Sequence, residues 1–305
     1  MVKIATILTV FNRREKTLAC LRHLYEAEQA YNQSTEENIE LTVFLTDDGC
    51  TDGTTEAVRM TFADKDIHIL QGTGFLYWAG GMCLAWQAAI KEGTPWDYYL
   101  LLNDDTNICN NVFDELFEAD DYGFLRMGCH GLSSGVTCQP GNKNEITYGA
   151  FNFLSRAKVK AALVNPTGKP QSVDLLHANI LLVHHSVTDS IGIFYKGYRH
   201  GGADLDYTLK ASRKGFPVSL TANVCGECEC DHDSNEDEIH RLCQMTLAER
   251  KQYFSSPTHS SYDHLLYVRR NIPMRYPFSL IVRTVRLYCP VAYYYFTKLR
   301  GVYRK

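Results

Sequence analysis

The sequence has no uninterrupted apolar run of about 18 residues, the length a bilayer span requires. The nearest approach, Ile281 to Phe296, is broken by Arg283, Arg286 and Pro290. Proline is sparse and glycine no more than average, with 9 and 21 residues in a chain of 305, which excludes collagen-like and linker-rich material. There is no internal repeat and no low-complexity segment. A large charge of one sign is also lacking: 31 Lys and Arg stand against 35 Asp and Glu, a formal net charge of -4. Bulk charge therefore does not point to a nucleic-acid partner. The first residues, MVKIATILTVFN, lack a long apolar core and a small-residue cleavage site, and read as a first strand rather than a signal peptide.

What is present is ordinary globular material, 45% hydrophobic and 22% charged. A chain of this length makes one large or two small domains and buries most of the surface its unfolded form exposes. The eleven cysteines are odd in number and mostly isolated, the pattern of reduced thiols in a cytoplasmic protein. The charge is unevenly spread. From Arg269 to Lys305 there are nine Lys and Arg and no Asp or Glu, so the first 268 residues carry 22 basic and 35 acidic side chains, a net of -13.

Short β-branched runs alternate with segments of helical period. Ile4 to Val10, Leu41 to Thr46, Ile67 to Leu70 and Tyr98 to Leu102 read as strands. Phe11 to Ala30, Thr54 to Phe62 and Met82 to Glu92 read as helices. This alternation predicts a parallel α/β sheet, whose ligands bind beyond the carboxyl ends of the strands. Asp120 to Pro170 is not resolved by pattern. Leu175 to His184 reads as a strand pair or a continued sheet, Leu205 to Lys214 as a helix closed by Gly215, and Leu220 to Val224 as a strand.

Three acidic clusters fall where a ligand is expected. Asp104 and Asp105 end an apolar strand; adjacent carboxylates there repel unless a cation neutralises them, and Mg2+ or Mn2+ takes such oxygen ligands together with diphosphates. A solvated turn is the alternative. Asp47 and Asp48 lie in TDDGCTDG, where an Asp can accept hydrogen bonds from a base or ribose, or simply build a turn. Asp204, in HGGADLDYTLKASRKGF, lies near the start of a helix, where the dipole favours its ionised form. It is a candidate general base or a helix cap, with Asp206 two residues on.

Taken in order, TILTVFNR (6–13), VFLTDDGCTDGT (43–54), GFLYWAGGM (74–82), LLNDDT (101–106) and HGGADLDYTLKASRKGF (200–216) resemble family 2 glycosyltransferases of the GT-A fold, and among them bacterial rhamnosyltransferase-like enzymes. The resemblance covers about residues 3 to 235. It implies a nucleotide-binding, Rossmann-like, mostly parallel sheet flanked by helices, with a catalytic domain over 1–250 and a basic, aromatic helical extension over 251–305. It also implies an inverting transfer from a nucleoside-diphosphate sugar to a hydroxyl of a glycan or lipid-linked acceptor, in surface polysaccharide synthesis, with Mg2+ or Mn2+ as cofactor. UDP and dTDP donors are equally open.

The same resemblance implies the site. Thr9 and Phe11 line the base pocket, Asp48 hydrogen-bonds the base with support from Asp47, and Gly80, Gly81 and Met82 approach the nucleotide-sugar. Asp104 contacts the ribose or shapes its loop, Asp105 and His232 bind the metal, and Asp204 is the general base. Ala203 stands where the family often has an acidic residue, which leaves Asp206 as the rival base. Two other readings compete. A nucleotidyltransferase would need a glycine-rich basic loop after the first strand, and TVFNRREK has no glycine. A catalytically inactive sugar- or zinc-binding module is suggested by Cys225, Cys228, Cys230 and His232, a zinc-like spacing without the second ligand pair. The 269–305 segment is expected either to touch the cytoplasmic face of a membrane, with Arg283, Arg286 and Lys298 at lipid phosphates, or to pack on the domain as helices.

Overall fold

A computed structural model of the chain describes residues 1–230, 235–259 and 261–299. In chain order the elements are β1 (Val2–Val10), α1 (Arg14–Ser34), β2 (Ile39–Asp47), α2 (Thr54–Thr61), β3 (Ile67–Gln71), α3 (Tyr77–Glu92), β4 (Tyr98–Leu102), β5 (Asn107–Ile108), α4 (Val112–Met127), β6 (Leu132–Gln139), β7 (Asn142–Tyr148), β8 (Ala150–Ser155), β9 (Lys160–Leu163), β10 (Gln171–Ser172), β11 (Leu175–Leu176), β12 (Ile180–His184), α5 (His185–Ile191), α6 (Ala203–Arg213) and β13 (Val218–Glu227). Further helices close the chain: α7 (Asn235–Gln244), α8 (Leu247–Ser255), α9 (Ser261–Asn271) and, after a short 3-10 turn, α10 (Tyr276–Tyr288), then α11 (Pro290–Leu299).

The main sheet runs β10-β13-β6-β12-β4-β1-β2-β3. Its β4-β1-β2-β3 half is parallel, as the alternation of elements predicts. The other half is mixed, because β12 runs antiparallel to both β4 and β6. The ambiguous 175–184 segment is two strands in different sheets: β12 joins the main sheet, and β11 pairs β8 in a three-stranded sheet with β9. The stretch that pattern left unresolved supplies the second half of α4 and the strands β6 to β9. β6 is buried yet built of polar and small residues, LSSGVTCQ, and β7 is mostly exposed, so neither shows a clear apolar pattern.

β1 shows why the parallel half is buried on both faces. Ile4 and Leu8 pack into one core with Leu21 and Leu24 of α1 and Phe113 of α4. Ala5 and Ile7 pack into another with Met82 and Trp86 of α3 and Tyr207 of α6. α3 lies close to β1 because Gly81 has no side chain; a Cβ there would collide with Thr9. A third, small core of Ile239, Leu242, Phe254 and Leu287 holds α7, α8 and α10 together.

The C-terminal helices are tied to the sheet unit through α9. Asp206 of α6 accepts from Arg270 Nη2 at 3.1 Å and from Asn271 Nδ2 at 2.5 Å. Asp263 accepts from the backbone N–H groups of Arg199, His200 and Gly201 at 3.1, 2.8 and 3.1 Å.

α10 and α11 have an unusual polarity. Arg283 and Arg286 point inward: Arg283 Nε donates to Ser261 Oγ at 2.6 Å and Arg286 Nη2 meets Glu238 Oε2 at 2.6 Å. The expectation that these two arginines face lipid phosphates is therefore corrected, because their partners lie on α7 and α9. The outward positions are apolar instead, with Phe278, Ile281 and Tyr288 on α10 and Val291, Tyr295, Phe296 and Leu299 on α11 all exposed. Among the described residues, no helix is long and apolar enough to cross a membrane.

Candidate active site

The strand order reverses between β1 and β4, and the crevice beyond their carboxyl ends is where open α/β sheets bind ligands. After β1 the chain turns through Asn12, a non-glycine residue at φ 52°. Its side chain accepts from the Thr51 N–H at 2.7 Å and its own N–H donates to Cys50 Sγ at 3.3 Å. This lashes the turn to the loop after β2 and aims Arg13 across the crevice. After β4 come Asp104 and Asp105. Arg13 Nη1 stands 2.5 Å from Asp105 Oδ2 and 3.4 Å from Asp104 Oδ1.

The two carboxylates are not equivalent. Asp104 is 6% exposed, and its pKa is pushed up to about 7 by burial and the neighbouring Asp105, against the pull of Arg13 and a hydrogen bond from Thr17. Asp105 also accepts from the buried Cys228 thiol, Sγ to Oδ1 at 3.8 Å. Asn179 Nδ2 donates to the same sulfur at 3.6 Å.

Asp204 closes the opposite wall. It stands at the start of α6 after Gly202, which takes φ 80°. Oδ1 accepts from the Leu205 N–H at 2.9 Å and Oδ2 from the Ala178 N–H at 3.3 Å. Burial raises its pKa to about 6, against the backbone N–H groups that hold the charged form. Asp206 faces away, into its ion pair with Arg270. The two acids left open by the sequence are thus two residues, about 200° of helix rotation, apart: one lines the crevice and the other holds α9.

Arg13, Trp78, Asn103, Asp104, Asp105, Asp204 and Cys228 line one cleft of about 320 Å³. The Trp78 indole donates to Asn103 Oδ1 at 2.7 Å, which fixes its ring beside the acidic pair. Asn103, Asn179 and Asp263 were not singled out as site residues by sequence reasoning, and Cys228 was singled out only as a zinc-like ligand. Asn103 could have been found from its place in LLNDDT; Asp263 gave no local signal, since it acts from another helix.

Asp47 and Asp48 hold loops. Asp47 accepts from the N–H groups of Gly49 and Cys50 and from Thr55 Oγ1, at 2.9, 2.7 and 2.5 Å. Burial opposes its charge, but these hydrogen bonds outweigh it and lower its pKa. Asp48 accepts from the N–H groups of Gly74 and Tyr77 at 2.8 and 2.9 Å, so it fastens the start of α3 to the end of β2. Gly72 packs against Asp48 so closely that a Cβ would overlap it.

The structure does not bring every expected residue to the cleft. Met82 is fully buried in the core and Gly81 packs on Thr9, inside α3. Gly80 packs on Leu76. The resemblance implies that Gly80, Gly81 and Met82 approach the nucleotide-sugar, yet they lie in the first turns of α3, and helical packing turned Met82 inward. Thr9 and Phe11 do not line the cleft, and Phe11 is 54% exposed. His232 lies outside the described residues.

The donor set suits a hard divalent cation. Two adjacent carboxylates share one guanidinium, and Mg2+ or Mn2+ sites commonly take one or two carboxylates and complete the shell with substrate phosphates and water. Among the described residues no three His, Cys, Asp or Glu side chains converge as a preformed metal cage. Cys225 is buried and donates to Thr221 Oγ1 at 3.3 Å, while Cys228 turns to Asp105 and Cys230 is exposed. These three thiols therefore point different ways.

No family model matches the sequence, and no curated protein is significantly similar to it. Among solved structures the chain is similar to the mannosyltransferase PcManGT from Pyrobaculum calidifontis in complex with GDP-Man and Mn2+, with 15% identity, 99% of this chain and 81% of that chain covered, and a TM-score of 0.51. It is also similar to S. aureus TarS 1-349 in complex with UDP-GlcNAc, with 13% identity, 91% and 73% covered, and a TM-score of 0.49. The likeness to the mannosyltransferase, together with the sheet order above, shows the architecture: the chain has the GT-A glycosyltransferase fold, a mixed α/β unit with a largely parallel sheet flanked by helices and a C-terminal helical tail.

Proposed function

We propose that the protein is a metal-dependent, inverting glycosyltransferase that moves a sugar from a nucleoside-diphosphate donor to a hydroxyl acceptor, in surface polysaccharide synthesis. The observation that carries this reading is the single cleft that sets the Asp104–Asp105 pair against the lone buried carboxylate of Asp204. The structurally similar mannosyltransferase is complexed with GDP-Man and Mn2+, which supports a nucleotide-sugar donor here.

Each residue then has a task that its geometry permits. Asp105, with Asp104 beside it, would hold Mg2+ or Mn2+, which supplies positive charge to the leaving diphosphate. Arg13 lies where it can add a second positive charge to the same phosphates. Trp78, fixed by Asn103, offers a flat wall to the donor sugar. Asp204 takes the proton from the acceptor hydroxyl at a carboxylate oxygen; with a pKa of about 6 it is ionised at neutral pH and remains basic enough to accept. Asp263 keeps the 199–201 backbone in place behind Asp204. Asp47 and Asp48 shape the nucleotide side by fixing the loops after β2 and before α3.

We place the catalytic unit at 1–250 and the helical extension at 251–305, with attachment of the enzyme to the cytoplasmic face of a membrane through 269–305. The exposed apolar outer faces of α10 and α11 support this, since aromatic and aliphatic side chains flanked only by basic residues suit an anionic lipid interface.

The deciding experiment is a donor panel. Wild-type protein with Mn2+ is expected to hydrolyse at least one of UDP-, dTDP- and GDP-sugars slowly, and a chelator to stop it. Release of pyrophosphate from a nucleoside triphosphate and a sugar phosphate would instead favour a nucleotidyltransferase, and no turnover with any donor would favour a sugar-binding module.

A further inference from the structure

A second cavity, about 310 Å³, lies under α10 and is lined by Lys158, Glu238, His264, Arg275, Arg283 and Arg286 among others. Its four Lys and Arg side chains face a single carboxylate, so the lining is strongly basic. His264 adds nothing at neutral pH, because burial and the nearby Arg286 and Arg275 lower its pKa. Among the described residues Lys158, Arg275 and Arg283 form no ion pair, and only Arg286 meets Glu238. Arg286 Nε is buried and has no hydrogen-bond partner among the described residues. Three guanidinium groups gathered at one concave site repel one another, and an unused buried donor is costly; a bound polyanion offsets both.

A third, mainly apolar hollow adjoins both this cavity and the active site. That hollow shares Val159 and His264 with the basic cavity, and His200, Gly201, Gly202 and Leu205 with the cleft of Asp204. We propose that the basic cavity binds a phosphate or diphosphate ester, the charged end of the acceptor, while the acceptor's sugar hydroxyl extends through the hollow to Asp204. This deepens the transferase reading and rests on it for the acceptor's identity; the anion site itself rests only on the arginines. Phosphate and guanidinium match as bidentate hydrogen-bond partners.

Calorimetry with inorganic pyrophosphate, in chelator and without donor, tests the site. Wild type is expected to bind, Arg275→Gln/Arg283→Gln to bind about ten-fold or more weakly, and Arg13→Gln, altered in the donor cleft, to bind as wild type. Circular dichroism checks the double variant; if its fold is lost, Arg275→Gln alone, with Arg275→Lys as rescue, replaces it, since the guanidinium of Arg275 stacks on Phe278 at the protein surface. Absence of binding to wild type, or loss in Arg13→Gln with retention in the arginine variants, overturns the proposal. Farnesyl diphosphate identifies the source: about ten-fold tighter binding than pyrophosphate marks a lipid-borne diphosphate, and equal binding marks a soluble one, both through the same arginines. Pyrophosphate binding without hydrolysis of any nucleotide-sugar overturns the transferase reading and leaves the anion site; hydrolysis without pyrophosphate binding does the reverse.

Discussion

Arg13 and Asp105, 92 residues apart in sequence, meet at 2.5 Å at the carboxyl ends of two neighbouring parallel strands. The guanidinium supplies the positive charge that the Asp104–Asp105 pair needs. On the proposed function, a divalent cation would serve the same carboxylates as this arginine.

Replacing Arg13 by Gln is expected to lower stability by about 1 kcal/mol in the absence of metal, a modest value because the arginine is partly exposed. Mn2+ should then raise the melting temperature of Arg13→Gln by more than it raises that of wild type. Equal Mn2+ shifts in a thermal scan would show that arginine and metal do not share the site.

Asp105→Ala is expected to keep the fold and lose Mn2+-dependent nucleotide binding. Calorimetry with the donor nucleotide, with and without Mn2+, reads this directly. Unchanged affinity would move the metal elsewhere.

Asp204→Asn should retain donor binding while transfer falls about 10²–10⁴-fold. In wild type, transfer should rise with pH through about 6, as Asp204 ionises. The sign for stability is opposite. The folded pKa lies above the ordinary carboxylate value, so the stabilising effect of the protonated form is complete below about pH 4 and is lost as pH rises through about 6. The melting temperature of Asp204→Asn relative to wild type should accordingly increase from about pH 5 to about pH 7. A flat difference would deny the buried charge.

Asp48→Ala removes the acceptor of two backbone N–H groups, and is expected to cost about 1–3 kcal/mol and to weaken donor binding by loosening residues 72–77. Urea unfolding with an unchanged slope, beside nucleotide titration, separates the two effects. Full stability would mean that the Gly74 and Tyr77 amides find other partners.

Wild-type protein is expected to float with anionic vesicles at low salt, and Ile281→Glu/Phe296→Glu to stay in the soluble fraction, because both side chains point outward. Flotation of the double variant at the wild-type level would remove the membrane role from this face.

The sequence by itself determined the parallel half of the sheet, the strand-tip position of both acidic pairs and the place of Asp204 at a helix start. Those features are local: β-branched runs of buried-strand length, turn residues after them, and apolar residues at helical spacing. Tertiary structure decided the rest. Helix phase and packing put Met82 in the core and turned Asp206 away from Asp204. Antiparallel insertion of β12 brought Ala178 and Asn179 to the tip of β4. The inward arginines of α10 were not legible, because periodicity marks an apolar stripe without saying which side faces solvent. Only the carboxylate of Glu238 on α7 and the hydroxyl of Ser261 on α9 fixed that choice, by giving Arg286 and Arg283 partners on the protein side of the helix.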